Sequence, residues 1–480
     1  MAFRGLQTTL QLSQRVPGPT TRIARFSFSR CMRLDPNLRY ADVPTTPRSR
    51  YERIMEGVEP LECYGPGGHH PVHIGDRLDG RYRVVHKLRD DIASITWLAL
   101  DEKLSKYVSV KVGMGCVDRI EGDVLSRLAQ SASGDATSEN KPELVSVLLD
   151  RFNISGPNGI HPCLVTSPTR HSLGDVKGET FEMELLQLDV TRSLAAQLSM
   201  AVAQVHSSGY AHGDIGLHNA FFQFPPSLNH RSVNQVYKRY GEARAKAFIN
   251  TDTQMHSGDH WVPSYRVFPM EMDMDGQDIA LHEAKLTLRG FGAAFRPADK
   301  PRFESHKQYW NSILPPEAYF KPGTPLTFAW DIWSLGNAIF ELLARRPLIG
   351  SRWDAIAQQI HMSGPMPPEW WEKWGERSKW VDDAGRPLNS ELPQSYTWEA
   401  LFEDWVQSER RSDGMEPIEE DEKDALLRLL KWVLAWRPAE RPGAQEVLET
   451  EWMTRWALPA YSKTLRLQER RGRRRFSRRK

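Results

Sequence analysis

The sequence is poor in cysteine and has no long hydrophobic run. Its 480 residues include four cysteines, Cys31, Cys63, Cys116 and Cys163, and none of them forms a Cys-x-x-Cys pair. This scarcity argues against a secreted disulfide framework and against a cysteine zinc site, so we expect reduced thiols in an intracellular protein. No apolar run approaches the ~18 residues that a membrane span requires, and we therefore expect a soluble chain.

Acidic residues are nearly absent from both ends of the chain. Residues 1–34 carry six arginines and no acid, and residues 463–480 carry ten lysines or arginines against one acid, Glu469. The remaining residues are 47 basic and 60 acidic, a net charge of −13. An acidic body disfavours nucleic acid as a ligand, except through the basic tail, and suits a basic polypeptide partner. A plain solvated surface is the alternative interpretation, and both stay open.

The two basic ends bear on location. Residues 1–34 are rich in Arg, Ser and Thr, a composition that resembles a mitochondrial presequence and that a disordered extension fits as well. The arginine-rich run at 470–480 is a candidate for nuclear localisation or for anion binding, with a solvated tail as the alternative. We expect the nucleus or cytoplasm, with the mitochondrion as the second location. The sequence predicts no oligomeric state.

The hydrophobic pattern changes once along the chain. Between residues 81 and 112, short apolar and β-branched runs alternate with polar turns, which predicts an antiparallel sheet. After about residue 190 the apolar residues recur at helical spacing, and residues 328–343 predict a helix that is apolar on nearly every face. A small β lobe followed by a large helical lobe is an α+β fold, not a parallel α/β sheet.

One octapeptide, His-Gly-Asp-Ile-Gly-Leu-His-Asn at 212–219, sets a carboxylate and a carboxamide five positions apart. Asp214 and Asn219 have the spacing of a protein-kinase catalytic loop, where the Asp accepts a substrate hydroxyl proton and the Asn holds magnesium. The pattern alone is weak, because any polar turn can match it by chance. Its partners nevertheless follow in the order that a kinase requires, namely Lys111, Glu121, Glu317, Asp331 and Arg441.

Together these motifs resemble a eukaryotic protein kinase, and more narrowly the fungal SR-protein-kinase-like family. The narrower resemblance depends on three long motifs, GGHHPVHIGD at 67–76, GPNGIH at 156–161 and GPMPPEWW at 364–371. It spans about residues 60–456. It implies a bilobal protein-kinase-like fold with ATP between the lobes, and transfer of phosphate to Ser or Thr in proteins. It also argues against a zinc site at the histidines of the first motif.

The resemblance divides the chain into five parts. A basic N-terminal extension at 1–34 is followed by an extension with the family motif at 35–75 and a kinase N-lobe at 76–170. A C-lobe at 171–456 and a basic C-terminal tail at 457–480 complete the chain. The C-lobe carries an insert at about 223–285, which is longer than a compact kinase needs and which we expect to pack on the helical lobe.

Matching positions imply a role for each catalytic-site residue. Asp214 is the expected catalytic base and Asn219 a magnesium ligand, while Lys111 and Glu121 are the ion pair that grips the ATP phosphates. ATP and Mg²⁺ are the implied cofactors. Thr166 falls at the gatekeeper position.

The resemblance also implies roles in nucleotide binding and in supporting the fold for six further residues. Ser167 and Thr169 lie in the hinge, whose backbone binds adenine. His212 and Asp331 are expected to brace the catalytic loop. Glu317 and Arg441 are expected to form a structural ion pair in the helical lobe.

Two departures from the family pattern bear on activity. The family's Asp-Phe-Gly motif aligns with Gly-Phe-Gly at 290–292, so the carboxylate that binds magnesium is missing. Losing one preorganised electrostatic group costs ~10²- to 10³-fold in rate in other enzymes. The loop that should cover the phosphates, residues 89–97, has no glycine and brings Asp90 and Asp91 towards a negative ligand.

Two functions therefore remain open. In the first, the chain is a working Ser/Thr protein kinase in which Asn219, phosphate oxygens and water hold the metal. In the second, it is a pseudokinase that keeps the fold as a binding scaffold with weak or no turnover. A smaller departure, Gly213 in place of the Arg that receives an activation-loop phosphate in many kinases, argues against control by that route.

Overall fold

The computed structural model describes residues 58–59, 63–91, 93–117, 120–132, 143–178, 183–247, 261–272, 274, 276–299, 314–321, 323–349, 354–375, 377–382, 388 and 397–477. The expectations for residues 1–34 and for 35–57 lie outside these residues. Among the described residues, no helix is both long enough and apolar enough to cross a membrane.

The first part of the chain forms one six-stranded antiparallel sheet in the order β1-β2-β3-β4-β6-β5. Its strands are β1 (Arg77–Leu78), β2 (Tyr82–Asp91), β3 (Ser94–Asp101), β4 (Lys106–Gly113), β5 (Leu148–Gly156) and β6 (Gly159–Thr166). Helix α1 (Ile120–Ala132) follows β4 and lies against β5. The antiparallel sheet expected from residues 81–112 is present.

The second part is mainly helical. A small sheet of β7 (Thr169–Ser172), β8 (Ala220–Gln223) and β11 (Leu286–Leu288) begins it, and β9 (Ala245–Ala247) pairs with β10 (Tyr265–Val267). Its helices are α2 (Leu173–Lys177), α3 (Leu188–Ser207), α4 (Val233–Tyr240), α5 (Pro316–Phe320), α6 (Ala329–Leu343), α7 (Asp354–Ser363), α8 (Pro368–Trp371), α9 (Trp398–Phe402), α10 (Ser408–Ser412), α11 (Glu420–Val433), α12 (Ala444–Glu449) and α13 (Leu458–Ser477).

Helix α6 is the centre of the helical lobe, as its all-round apolar sequence predicts. It is buried from Trp330 to Leu343 except at Glu341, and it packs against α3 and α11. A β lobe and a helical lobe, each with its own hydrophobic clusters, make the fold α+β and bilobal, which confirms the predicted class.

The insert at 223–285 packs on both lobes. Its last part packs on the helical lobe, as expected, because Ile279 and Ala284 are buried in the core cluster of that lobe, but its first part packs on the β lobe. Val236 of α4 and Met270 are buried in one cluster with Val85 and Leu98 of the sheet. The Tyr237 hydroxyl donates to the Val85 carbonyl at 3.0 Å, and Met270 N–H donates to the Lys87 carbonyl at 2.8 Å. The physical reason is that the apolar face of α4 needs an apolar surface, and the sheet supplies one.

The same insert also reaches the opposite face of the sheet. Val267 is buried there with Val84 and Trp97, and Tyr265 packs against the same cluster. Residues on this face alternate along the strands with those of the face that carries Val85 and Leu98, because successive side chains of a strand point to opposite sides of the sheet. The insert therefore packs on both faces of strand β2.

Two of the motifs that carried the family resemblance lie together, although 80 or more residues separate them in sequence. The Asn158 side chain donates to the His69 carbonyl at 2.6 Å, and Gly67 N–H donates to the Asn158 carbonyl at 2.6 Å. The rings of His70 and His161 are 4.9 Å apart. The motif at 67–76 thus docks the N-terminal extension onto the β5–β6 hairpin. Among the described residues, no group of three His, Cys, Asp or Glu side chains is arranged to hold a metal ion.

The C-terminal boundary differs from the prediction, because residues 457–480 do not begin as a tail. Helix α13 packs against α3 through Tyr461 and Thr464, which are buried. The Thr464 hydroxyl lies 2.9 Å from the Ser193 hydroxyl, and Gln468 donates to the His282 carbonyl at 3.0 Å. The apolar residues at the start of α13 place it in the helical lobe, and its arginine-rich end begins only after Gln468.

We predict that removing an insert side chain from the sheet destabilises the β lobe. Met270 is 1% exposed, so Met270→Ala should lower the free energy of unfolding by about 2–5 kcal/mol, through lost burial and an unfilled cavity. Lys238→Ala on the exposed side of the same insert is the control and should change it by less than about 0.5 kcal/mol. Urea denaturation measures both. Equal effects would contradict the packing of Met270.

Acid should loosen the docked N-terminal motif. His69 is 2% exposed, and burial lowers its pKa to about 4, so its imidazole is neutral in the fold at neutral pH. The unfolded chain binds that proton near pH 6.5, so stability present above this pH is lost as the pH falls from about 6.5 towards 4. His69 alone should account for ~2 kcal/mol between pH 7 and pH 5. Urea titrations at each pH should give a flatter slope for His69→Gln than for wild type, and an unchanged slope for the exposed His230→Gln.

Candidate active site

The catalytic-loop residues 212–219 are held by a carboxylate of helix α6. Asp331 is 0% exposed and accepts the backbone N–H of His212 at 2.6 Å and of Gly213 at 2.8 Å. His212 Nε2 lies 2.8 Å from the Arg289 carbonyl, and its ring contacts Phe291. The structure therefore brings His212 and Asp331 together at the loop, in the arrangement that the resemblance implies for them.

Asp214 and Asn219 face each other across the loop. Asn219 Nδ2 donates to the Asp214 carboxylate at 2.9 Å and to the Asp214 carbonyl at 2.8 Å. His218 Nε2 lies 3.3 Å from the other carboxylate oxygen. Sequence reasoning missed His218, and the signal was Gly216, where a Cβ would lie 2.6 Å from the His218 ring. Both oxygens of the expected base thus already have a neighbour within the chain.

Lys111 and Glu121 form the expected ion pair at 2.8 Å, between β4 and the first turn of α1. Burial alone would raise the pKa of Glu121, but the Lys111 ammonium and its hydrogen bond outweigh burial and lower this pKa. The charged pair holds α1 against the sheet.

The loop at 89–97 is a tight hairpin, not a cover for phosphates. Asp91 of β2 pairs directly with Ser94 of β3. Asp90 turns towards the buried ammonium of Lys87, 3.2 Å away, and burial raises its pKa against the opposing effect of that ammonium. The expected repulsion between Asp90 and a bound phosphate therefore does not apply, because Asp90 is paired on the β lobe.

Position 290 has no room for a metal-binding carboxylate. Gly290 has a left-handed φ of +83°, and a Cβ there would overlap Asn219 Oδ1 and lie 2.6 Å from Asn219 Cγ. The Asn219 amide occupies the space beside Asp214. Magnesium needs near-octahedral oxygen ligands, usually with one or two carboxylates, and Asp214 is already engaged by Asn219. The donor set therefore does not fit the magnesium site that the resemblance implies.

The hinge is occupied by an arginine of the chain itself. Arg289 is 6% exposed and donates to the Ser167 carbonyl at 3.1 Å and to the Thr166 hydroxyl at 3.0 Å. A longer contact of 3.4 Å reaches the Thr169 hydroxyl. Burial, reinforced by the positive charge of Arg89, lowers the pKa of Arg289 to about 9. Ser167 thus gives a carbonyl group of the predicted adenine-binding hinge to Arg289.

A second arginine enters the cleft from the sheet. Arg89 pairs in register with Thr96, and Thr96 with Lys111, so these three side chains share the cleft face. The Arg89 guanidinium stacks over the Phe221 ring with 4.2 Å between the guanidinium carbon and the ring centroid, a cation–π contact. The space between sheet and hinge therefore holds two guanidinium groups, and the residues present do not fit adenine as the resemblance implies.

Glu317 and Arg441 form the structural pair expected in the helical lobe. The two carboxylate oxygens of Glu317 accept from Arg441 at 2.7 and 2.8 Å, and the Arg441 side chain is 0% exposed. Further bonds from Arg441 to the Ala329 and Trp436 carbonyls satisfy the buried guanidinium. This geometry joins α5 to the segment between α11 and α12.

We predict that restoring the carboxylate at position 290 destabilises the protein. Gly290→Asp would place a Cβ onto the Asn219 amide in a left-handed backbone, at a cost of about 1–3 kcal/mol. Gly292→Asp is the matched control, because no atom lies within 4 Å of a Cβ there. Thermal denaturation of both variants tests this. A Gly290→Asp variant as stable as Gly292→Asp would contradict the position of Asn219.

Comparison with known proteins gives relatives along most of the chain, although no protein-family model matches it. A serine/threonine protein kinase of Aspergillus fumigatus is 24% identical over 430 residues, which cover 85% of this chain and 95% of that protein. The serine/threonine-protein kinase SRPK of Physarum polycephalum is 24% identical over 418 residues, 82% of this chain and 91% of that protein.

A shorter sequence match is of the same kind. Human SRSF protein kinase 3 is 38% identical over 119 residues, 25% of this chain and 21% of that protein. A solved kinase domain aligns with a TM-score of 0.49 and 16% identity over 80% of this chain and 98% of that chain, too weakly to carry an argument. The resemblance read from the motifs is confirmed by the sequence relatives: along most of its length the chain is similar to proteins that are named serine/threonine protein kinases, an SR protein kinase among them.

Proposed function

We propose that this protein is a pseudokinase, a kinase homologue that has weak or no phosphotransfer activity and acts as a binding scaffold. The single observation that carries the proposal is the Arg289 guanidinium, buried at the hinge and bonded to the Ser167 carbonyl and the Thr166 hydroxyl. A nucleotide would have to displace this guanidinium from two hydrogen bonds to occupy the same backbone group. Leaving such a buried group without partners costs ~1–3 kcal/mol or more.

Two further features support the same function. Arg89 stacks on Phe221 within the cleft, and position 290 has no carboxylate to neutralise phosphate charge. Phosphoryl transfer depends almost entirely on positioning and on charge neutralisation by metal ions. Asp214 retains its place on the loop, but a base without an aligned phosphoryl group has nothing to act on.

The retained ion pairs have a structural role in this proposal. Lys111–Glu121 fixes α1 on the sheet, and Glu317–Arg441 joins α5 to the segment between α11 and α12 in the other lobe. A scaffold needs this rigidity as much as an enzyme does. The partner that we propose is a basic, Arg/Ser-rich polypeptide, because the body between the termini has a net charge of −13 and one relative is named an SRSF protein kinase.

A working Ser/Thr kinase is the second candidate, and one observation favours it. Lys111, Glu121, Asp214 and Asn219 are all present, and the first two are paired at 2.8 Å. In that case ATP and Mg²⁺ would enter only after Arg89, Arg289 and Asn219 had moved.

We predict that adenosine and ADP do not raise the melting temperature of the wild-type protein without magnesium. The double variant Arg89→Ala with Arg289→Ala, which empties the space at the hinge, should gain a shift with adenosine. A ligand at 100 times its dissociation constant stabilises a fold by ~2.7 kcal/mol, which thermal denaturation detects readily. Each protein is compared with its own unliganded melt.

Arg83→Ala is the control for the double variant, because Arg83 lies on the same strand and pairs with Glu102 instead of entering the cleft. It should behave as wild type. Phosphate transfer from ATP and Mg²⁺ to an Arg-Ser-rich peptide decides between the two functions. Robust wild-type transfer that Asp214→Ala abolishes would overturn the pseudokinase proposal.

A further inference from the structure

Helix α13 has two parts that differ in sequence and in surroundings. Its first part packs on the helical lobe through the buried Tyr461 and Thr464, and Gln468 donates to the His282 carbonyl at 3.0 Å. Its second part is residues 470–477, which carry five arginines and no acid. We call this second part the basic arm. The scaffold function proposed above does not use it.

The basic arm is a continuous extension of the packed helix. The backbone of α13 stays helical from Gln468 to Ser477, nine residues further on, which is ~14 Å at the rise of an α-helix. Arg470 and Arg471 at the start of the arm are exposed. The body between the termini has a net charge of −13, so the arm is a concentrated positive charge on an otherwise acidic protein.

The positive charge of the arm is as dense as the negative charge of a nucleic-acid duplex. Five arginines lie within the six residues 470–475, and on a helix this is about one charge per 1.8 Å. A DNA duplex carries about one negative charge per 1.7 Å of its axis. A short stretch of nucleic acid therefore presents a phosphate for each arginine.

The spacing of the arginines favours a polyanion as the occupant. Residues four apart are neighbours on a helix, and the sequence has arginine at 470 and 474 and again at 471 and 475. Like charges at this spacing destabilise a helix. A closely spaced row of negative charges removes the repulsion, so binding of a polyanion stabilises the helical arm.

The residue type favours phosphate over carboxylate. All five charges of the arm are guanidinium groups, whose planar fork matches phosphate oxygens and stacks on aromatic rings. Nucleic acid also releases condensed counterions when cationic side chains replace them, whereas exposed ion pairs with carboxylates contribute little. An acidic polypeptide is therefore the weaker occupant.

A membrane surface fits the arm less well than nucleic acid does. A helix that lies in a bilayer interface needs an apolar face as well as a basic one. Phe476 is the only large apolar residue in the sequence of the arm. One ring does not make such a face, so nucleic acid is the occupant that composition and charge favour.

We propose that the basic arm binds nucleic acid through its phosphates and without reading the base sequence. Its five arginines pair with about five phosphates, and contacts of this kind position a protein but carry no sequence information. The acidic body is repelled by the same phosphates, which confines binding to the arm. The inference goes beyond the scaffold function, because it adds a second surface of opposite charge that tethers the protein to nucleic acid.

Fluorescence anisotropy tests the proposal with the full-length protein and without nucleotide. The probes are a fluorescein-labelled DNA duplex of about 20 base pairs and a single-stranded RNA of about 20 nucleotides, each titrated between about 50 and 200 mM salt. We plot the logarithm of the association constant against the logarithm of the salt concentration. Five phosphate contacts predict a slope of about −4.5 for the duplex and about −3.5 for the single strand. The probe that binds more tightly identifies the form of nucleic acid, and a duplex of unrelated sequence should bind equally.

A triple variant locates the binding. Arg473→Gln, Arg474→Gln and Arg475→Gln together leave two arginines in the arm, so the duplex slope should flatten to about −1.8 and binding at ~0.1 M salt should weaken about 100-fold or more. Gln has nearly the helix propensity of Arg, so the melting temperature should match wild type.

The matched control removes the same charge elsewhere. It is the triple variant Arg231→Gln, Lys238→Gln and Arg239→Gln, at three exposed basic residues of the insert. Because these residues lie outside the arm, the control should keep the wild-type slope and bind within about twofold of wild type.

Four outcomes would overturn the nucleic-acid-binding arm. They are no binding of either probe at low salt, equal weakening by the two triple variants, competition by polyglutamate as strong as by unlabelled duplex, and equally tight binding to phosphatidylcholine–phosphatidylserine vesicles. The last two would assign the arm to an acidic polypeptide or to a membrane surface. None of these results depends on ATP binding or phosphate transfer, so the pseudokinase proposal stands or fails separately.

Discussion

The site depends on the hydrogen bonds that the buried carboxylate of Asp331 accepts from the backbone of residues 212 and 213. A charge without solvent costs several kcal/mol unless hydrogen bonds compensate it, and here two backbone N–H groups of residues 212 and 213 do so, with His206 Nε2 at 2.9 Å. The same bonds fix the catalytic loop to α6, the central helix of the helical lobe. Since His212 in turn contacts the Arg289 carbonyl, the position of the loop sets the position of the segment that closes the cleft.

That segment places a side chain of the protein itself at the predicted adenine-binding hinge, while the architecture of both lobes is kept. Arg289 directly precedes Gly290. The same short stretch therefore has glycine where the family pattern has the magnesium-binding Asp, and it supplies a guanidinium group to the hinge. Arg89 adds a second from the opposite wall, stacked on Phe221. The ion pairs Lys111–Glu121 and Glu317–Arg441 lie outside this contact and remain formed. The ion pairs that support the fold therefore form independently of the side chains that fill the cleft.

The insert and the C-terminal helix show where sequence reasoning reached its limit. The amphipathic spacing in α4 predicts a helix but not the surface that covers it, because both lobes offer apolar area. Its packing on β2 follows from contacts between residues far apart in sequence, such as Tyr237 with Val85. Likewise, Tyr461 and Thr464 give no local signal that they belong to the helical lobe, and only the surface of α3 shows that they do.

Sequence alone determined the α+β fold, the resemblance of residues 212–219 to a kinase catalytic loop and the absence of a carboxylate at position 290, because each depends on local periodicity or on residue type at a fixed spacing. Tertiary structure decided what occupies the cleft. Arg89 and Arg289 are 200 residues apart, and nothing in either sequence context indicates that both lie in the same space. Folding brings them together at the hinge because the sheet of one lobe and the β8–β11 pair of the other face each other there.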